Sequence, residues 1–263
     1  MSATPISPDP FSRLAVVMLR PKSPGNVGSV ARAMKNMGFS RLVVADPMTY
    51  DDPAYFDDES RRMAWQAADL LEARRTEPDL ITALAPFHLV VGTTSNPPEG
   101  ARTLPPRRIA AEIAAHLAAR PADSAALLLG QEDIGLTRDH LSRCHVVGLI
   151  PSASIYPSLN LAQAALVFLY ELRLRLLEGS APPPADPASA TAGEPAPTHE
   201  DLEAFYGRLE QALETIGFLQ GTARPHMMRE LRRIFNRSAL TSRELAVFEG
   251  MVHQIVWAAG RRV

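Results

Sequence analysis

PGNVGSVARAMKNMGF, residues 24–39, follows the apolar run LAVVML, residues 14–19. Together they read as a strand feeding a helix. Gly25 and Gly28 suit a tight turn in which the backbone approaches another group closely. Asn26 is a residue type that caps a helix. Val27, Val30, Ala31, Met34 and Met37 recur at helical spacing, and Gly38 sits where a left-handed residue ends a helix. Asn26 and Arg32 thus lie near the carboxyl end of a strand, where open α/β sheets bind ligands.

The same grammar repeats outward from this unit. Further strand-like runs fall at 41–45, 87–91, 125–129 and 146–150. Helix-like stretches fall at 27–37, 60–74, 79–83, 106–119 and 159–177. Strands alternating with helices predict an α/β fold with a parallel sheet. The strands are continuous apolar runs, as expected where helices cover both faces.

The chain has 263 residues, 46% hydrophobic and 21% charged, with a net charge of −2. This is globular composition with room for a sizeable core. Bulk charge announces no nucleic-acid partner, so any basic surface must be local. The single cysteine, Cys144, allows no internal disulfide and fits a reducing, cytoplasmic setting. The amino terminus carries no signal-peptide pattern. The longest apolar helix is interrupted by Gln163, Glu171, Arg173 and Arg175, so no membrane span is expected.

Composition divides the chain into residues 1–178, a Pro/Ala-rich linker over 179–200, and a helical segment over 201–263. In that segment Leu202, Phe205, Tyr206, Leu209, Leu213 and Ile216 form one apolar stripe. Leu231, Ile234 and Phe235 form a second, and Leu245, Phe248, Met251, Val252, Ile255 and Val256 a third. TSRE, residues 241–244, matches a capping box. A module this small is expected to lean on another surface for stability.

Singly, the polar residues at the strand ends have ordinary readings. Asn26, Ser158 and Asn160 are helix caps, Arg32 a solvated charge, Gly130 a turn residue and Glu132 a surface carboxylate. His88, His140 and His145 have no metal-ligand spacing with Cys144, and no metal is expected. Neither a phosphate-binding GxxxxGK[ST] loop nor GxGxxG follows the first strand. No nucleophile elbow is present.

Together and in order, the segments are specific. NVGSVAR (26–32), GQEDIGL (130–136) and IPSASIYPSLNLAQA (150–164) resemble the three motifs of the SPOUT class of methyltransferases, in its ribose 2′-O-methylating branch. LRRIFNRSALTSRELAVFEGMVHQI (231–255) resembles the helical carboxyl-terminal extension of the TrmJ type of tRNA methyltransferase.

That resemblance implies a trefoil-knotted domain, with the knot at about 125–177, that holds S-adenosylmethionine and works as a homodimer through its first and last helices. The implied cofactor cradle is Thr93, Thr94 and Ser95, then Gly130, Gln131 and Glu132, then Ile150, Leu159 and Asn160. Arg32 is the implied catalytic residue. Asn26, Glu132, Ser158 and Asn160 shape the substrate and cofactor loops around it. Two positions depart from the family pattern. Residue 131 is Gln where many relatives carry Arg, and no arginine directly follows the Thr94–Ser95 step. Arg102, Arg107 and Arg108 are the candidate substitutes.

The implied substrate is tRNA, at the pyrimidine of position 32 in the anticodon loop. Ribosomal RNA methylation and a non-catalytic RNA-binding homologue are the alternatives. From Thr222 to Arg243 there are six arginines against one acid, Glu230, a local balance of +5. Arg229, Arg232 and Arg233, with Arg237 one turn on, are expected to face phosphates. Removing the chain after Gly179 is accordingly expected to weaken tRNA binding and to leave cofactor binding intact.

Overall fold

The computed structural model describes residues 9–47, 58–179, 195–238 and 240–260. Seven parallel strands form one sheet: β1 (Leu14–Leu19), β2 (Arg41–Ala45), β3 (Arg75–Glu77), β4 (Leu89–Thr93), β5 (Thr103–Leu104), β6 (Ala125–Leu129) and β7 (Val146–Gly148). Their order is β3-β2-β1-β6-β4-β7-β5. The helices are α1 (Pro24–Met37), α2 (Asp58–Ala64), α3 (Ala68–Glu72), α4 (Leu80–Leu84), α5 (Pro106–Ala119), α6 (Arg138–Ser142), α7 (Leu161–Leu177), α8 (His199–Thr215), α9 (Arg224–Arg237) and α10 (Ser242–Gly260).

Every residue of β1 is buried, which explains its unbroken apolar run. Leu14, Val16 and Met18 point into a core shared with α1, α5 and α7. Ala15, Val17 and Leu19 point into a second core on the opposite face, with α4 and Phe87. The alternation follows from the two-residue period of a strand. Among the described residues, no helix is long and apolar enough to cross a membrane.

Several sequence expectations need correction. Asn26 does not cap α1. Ser23 does, accepting the Asn26 N–H at 3.3 Å, with Pro24 at the first helical position, where its missing N–H costs nothing. Gly25 and Gly28 lie inside the helix and not in a turn. A Cβ on Gly28 would come within 2.1 Å of the Ser60 carbonyl oxygen, so glycine lets α1 press against α2. Gly38, at φ +84°, does end α1. The helix expected over 60–74 is broken into α2, a 3-10 turn (Trp65–Ala67) and α3, because Trp65 takes a left-handed φ of +54°. The fourth strand starts two residues later than expected, and β3, β5 and α6 are additional.

The last three helices pack around Phe205, Tyr206, Leu209, Leu245 and Val252. Ile216, Ile234, Met251 and Val256 of the expected stripes stay exposed. Residues 180–194 of the expected linker lie outside the described residues, and α8 already begins at His199. The module leans on the sheet domain: His199 donates its backbone N–H to the Phe87 carbonyl at 2.8 Å.

Candidate active site

Strands β1, β4, β6 and β7 all end at one edge, and the segments that leave them meet there. Gly130 closes β6 into the 131–136 loop. Its Cα lies so near the return of that loop that a Cβ would come within 2.3 Å of the Gly135 carbonyl carbon. Asn160 caps α7, its Oδ1 accepting the backbone N–H groups of Ala162 and Gln163 at 2.9 and 3.4 Å.

A polar relay ties three segments together. The Asn160 side-chain amide donates to Asn26 Oδ1 at 3.1 Å. Asn26 Nδ2 donates to Glu132 Oε1 at 2.9 Å. The Glu132 carboxylate also accepts the backbone N–H of Ser23 at 3.0 Å and of Lys22 at 2.8 Å. Burial pushes the Glu132 carboxyl pKa up, but hydrogen bonds from Asn26 and from the Lys22 and Ser23 backbone outweigh it and hold it below the usual carboxylate range. Glu132 is therefore a fixed anion that pins the start of α1 to the 131–136 loop. Its neighbour Asp133 pairs with Lys22.

Beside the relay lies a cavity of about 400 Å³, within the range of roughly 300–1,000 Å³ of small-molecule sites. Thr93, Thr94, Ser95, Gly130, Gln131, Glu132, Ile150, Ser158 and Leu159 all line it. Asn160 does not, and its side chain connects to the lining Glu132 through Asn26. The wall combines hydroxyls and loop peptide groups with apolar Leu136, Ile150, Leu159, Leu161 and Phe168. That mixture suits a ligand with a flat apolar body and polar edges.

Sequence reasoning missed Asn96, Pro97, Pro98 and Arg138, which also line the cavity. Arg138 is the one cation in its described lining. The signal for it was its place two residues beyond the GQEDIGL segment. Arg102 and Arg107 are paired with Glu112 and Glu171. Arg32 is exposed on α1 and does not line the cavity of its own chain. The three histidines have local jobs: His88, His140 and His145 each accept a backbone N–H through Nδ1 at 3.1–3.2 Å. Burial pushes His145 down to about 3 and the Cys144 thiol up to about 12, so both stay neutral.

Three of the four arginines expected to face phosphates are paired within the chain. Arg229 pairs with Asp139 at 2.9 Å. Arg232 grips Glu203 with both terminal nitrogens, at 2.5 and 2.9 Å, and stacks over Tyr206 with its side chain 13% exposed. Arg233 pairs with Glu230 and reaches the Glu99 carbonyl. Arg224 is paired with Glu210 and Glu214. Acids from other segments pair with Arg224, Arg229 and Arg232, and of the four expected contacts Arg237 stays exposed.

Comparison with known proteins agrees with this architecture. Residues 13–170 match the SpoU rRNA Methylase family, and residues 200–262 match the carboxyl-terminal domain of the tRNA methyltransferase TrmJ. The tRNA (cytidine/uridine-2′-O-)-methyltransferase TrmJ of Sodalis glossinidius is 35% identical over 247 residues, covering 92% of this chain and 91% of that protein. The tRNA (cytidine/uridine/adenosine-2′-O-)-methyltransferase TrmJ of Pseudomonas aeruginosa is 35% identical over 250 residues, covering 92% and 93%. The crystal structure of TrmJ from Z. mobilis ZM4 superposes with a TM-score of 0.76 at 25% identity, covering 92% of this chain and 98% of that one. Both parts of the chain thus match one lineage, and the chain belongs to the SpoU methylase family, in its TrmJ branch.

Proposed function

We propose that this chain transfers a methyl group from S-adenosylmethionine to a ribose 2′-hydroxyl of tRNA, at the pyrimidine of position 32. The observation that carries the reading is that the second and third motif segments wall one cavity, to which the Asn160–Asn26–Glu132 relay ties the first. The cavity fits the cofactor. Its apolar wall suits the adenine faces, and the Thr93, Thr94, Ser95 and Gln131 side chains and loop peptides offer partners for the polar edges. Once bound, the cofactor supplies an activated methyl on a good leaving group.

The protein's task is the nucleophile. A ribose hydroxyl holds its proton well above neutral pH, so its oxygen must be positioned in line and its developing charge stabilised. A guanidinium is suited to pairing with anions and not to taking a proton, so Arg32 acts by holding phosphate and stabilising that charge. Since Arg32 lies outside its own cavity, we place it at the cavity of a second copy. An exposed apolar ridge on α7, formed by Leu166, Tyr170, Leu174 and Leu177, supports a homodimer through α7 and the neighbouring α1. The position of β7 between β4 and β5 supports the knot. The 94–102 connection bridges the carboxyl end of β7, where the chain leaves toward α7. The reading places the enzyme in the cytoplasm with its substrate.

The test is methyl transfer from labelled S-adenosylmethionine to unmodified tRNA, with nucleoside mapping, for wild type and Arg32→Ala. The expected product is a 2′-O-methylated pyrimidine at position 32. The variant keeps cofactor binding and loses at least about a hundredfold in turnover, as removal of a charge-stabilising contact does. Near-normal turnover in the variant refutes the role of Arg32. Label in ribosomal RNA alone, or in no RNA, refutes the tRNA assignment.

A further inference from the structure

Helix α9 presents Arg229, Arg232, Arg233 and Asn236 on one face, and that face reaches both loops that wall the cavity. At the first turn of α6, Arg229 holds Asp139, next to the cavity-lining Arg138. At the other end of α6, Asn236 donates to the carbonyls of Ser142 and Cys144 at 3.0 and 3.1 Å and accepts the Tyr206 hydroxyl at 2.8 Å. Arg143 completes the grip through Glu203, which Arg232 also holds. On the opposite wall, Arg233 lies against the 99–100 turn. A Cβ on Gly100 would come within 1.8 Å of its Nη1, and Gly100 has a φ of +71°. That turn follows the cavity-lining residues Asn96, Pro97 and Pro98.

We infer that the carboxyl-terminal helices are part of the cofactor site: α9 braces its two walls, and Arg229 and Arg233 are positioning residues for cofactor binding. The inference rests on the proposed cofactor and runs against the sequence expectation that the tail can be removed without affecting it. The physical reason is short leverage. Helix α6 has only five residues, too few to hold its shape alone. Its Leu141 contributes to the cavity wall, and Cys144 packs beneath Gly92, where a Cβ would meet its sulfur at 2.6 Å. Releasing the α9 contacts frees this segment to move. Arginines read from sequence as an RNA face therefore shape the small-molecule site.

The test uses the full chain. Wild type, the double variant Arg229→Gln/Arg233→Gln and the conservative Arg229→Lys are titrated with S-adenosylmethionine by calorimetry. Hydrogen exchange of residues 94–100 and 137–145 is followed without cofactor. The double variant should bind the cofactor about tenfold more weakly and exchange at least about tenfold faster in both segments, with β1 and β6 unchanged. Arg229→Lys should bind within about twofold of wild type. Equal cofactor affinity in wild type and double variant overturns the inference. Unchanged exchange overturns it as well, even if the wild type binds no cofactor. A wild type that binds none overturns the cofactor reading itself.

Discussion

Glu132→Gln tests whether the relay is held by charge. The carboxylate accepts three donors at 2.8–3.0 Å: two backbone N–H groups and the Asn26 amide. Glutamine has the same shape but only one acceptor oxygen. That oxygen can keep Ser23 and Asn26 as neutral bonds, and its NH₂ group then faces the Lys22 N–H, donor against donor. Losing charge assistance and stranding one donor costs about 2–4 kcal/mol. In a domain of this size that corresponds to a melting point lower by roughly 5–12 °C at pH 7. The deficit is pH-dependent with a definite sign. The folded carboxyl titrates below its unfolded value of ~4.3, so its contribution is complete above that value. It is lost as pH falls through the lower folded pKa. Glutamine takes up no proton, so the two melting curves should converge under acid. Thermal denaturation from pH 7 down to 3 decides the matter. Equal melting points at pH 7, or a gap that stays constant under acid, would refute the reasoning.

Two further outcomes follow from packing. Gly28→Ala drives a methyl against the α2 backbone at 2.1 Å and should destabilise by about 1–3 kcal/mol. Gly250→Ala, which meets nothing within 4 Å, should stabilise by about 0.5–1 kcal/mol. Chemical denaturation of both variants reads the contrast, and equal effects would refute the close-approach role. Leu166→Glu/Tyr170→Glu places charge on the exposed α7 ridge and should convert a dimer into a folded monomer in analytical ultracentrifugation. An unchanged sedimentation coefficient would locate the interface elsewhere.

The sequence displayed what depends on long, continuous patterns and concealed what depends on distant partners. The run at 14–19 could only be a strand covered on both faces, and Gly38 and the Thr241–Glu244 capping box ended and opened helices as written, with Glu244 N–H on Thr241 Oγ1 at 3.2 Å. Strands RTE and TL carry no apolar run to detect. They exist because β2 and β7 offer them edges. The break at Trp65 rests on one left-handed dihedral that residue type disfavours. Asn26 illustrates a subtler limit. Its side chain suits a cap, but Ser23 and Pro24 start the helix three residues earlier and release it to bridge Glu132 and Asn160.

The arginines of α9 show why charge along a sequence does not reveal which cations the fold itself pairs. A basic helix face reads as solvent-exposed unless its acids are visible, and here Asp139 lies 90 residues away and Glu203 lies 29 away. Nor does the buried network serve chiefly to add stability. Apolar side chains of similar size in place of such pairs are often as stable or more so. What apolar contacts lack is direction. The core around Phe205 and Leu209 lies wholly within α8–α10 and does not set their angle on the sheet domain. Asn236, with both amide protons and its oxygen engaged while only 8% exposed, and Glu203, shared by Arg143 and Arg232, fit only one. Fixing that angle places Arg229 and Arg233 at the cavity walls, so specificity of docking and shape of the site become a single property of the tail.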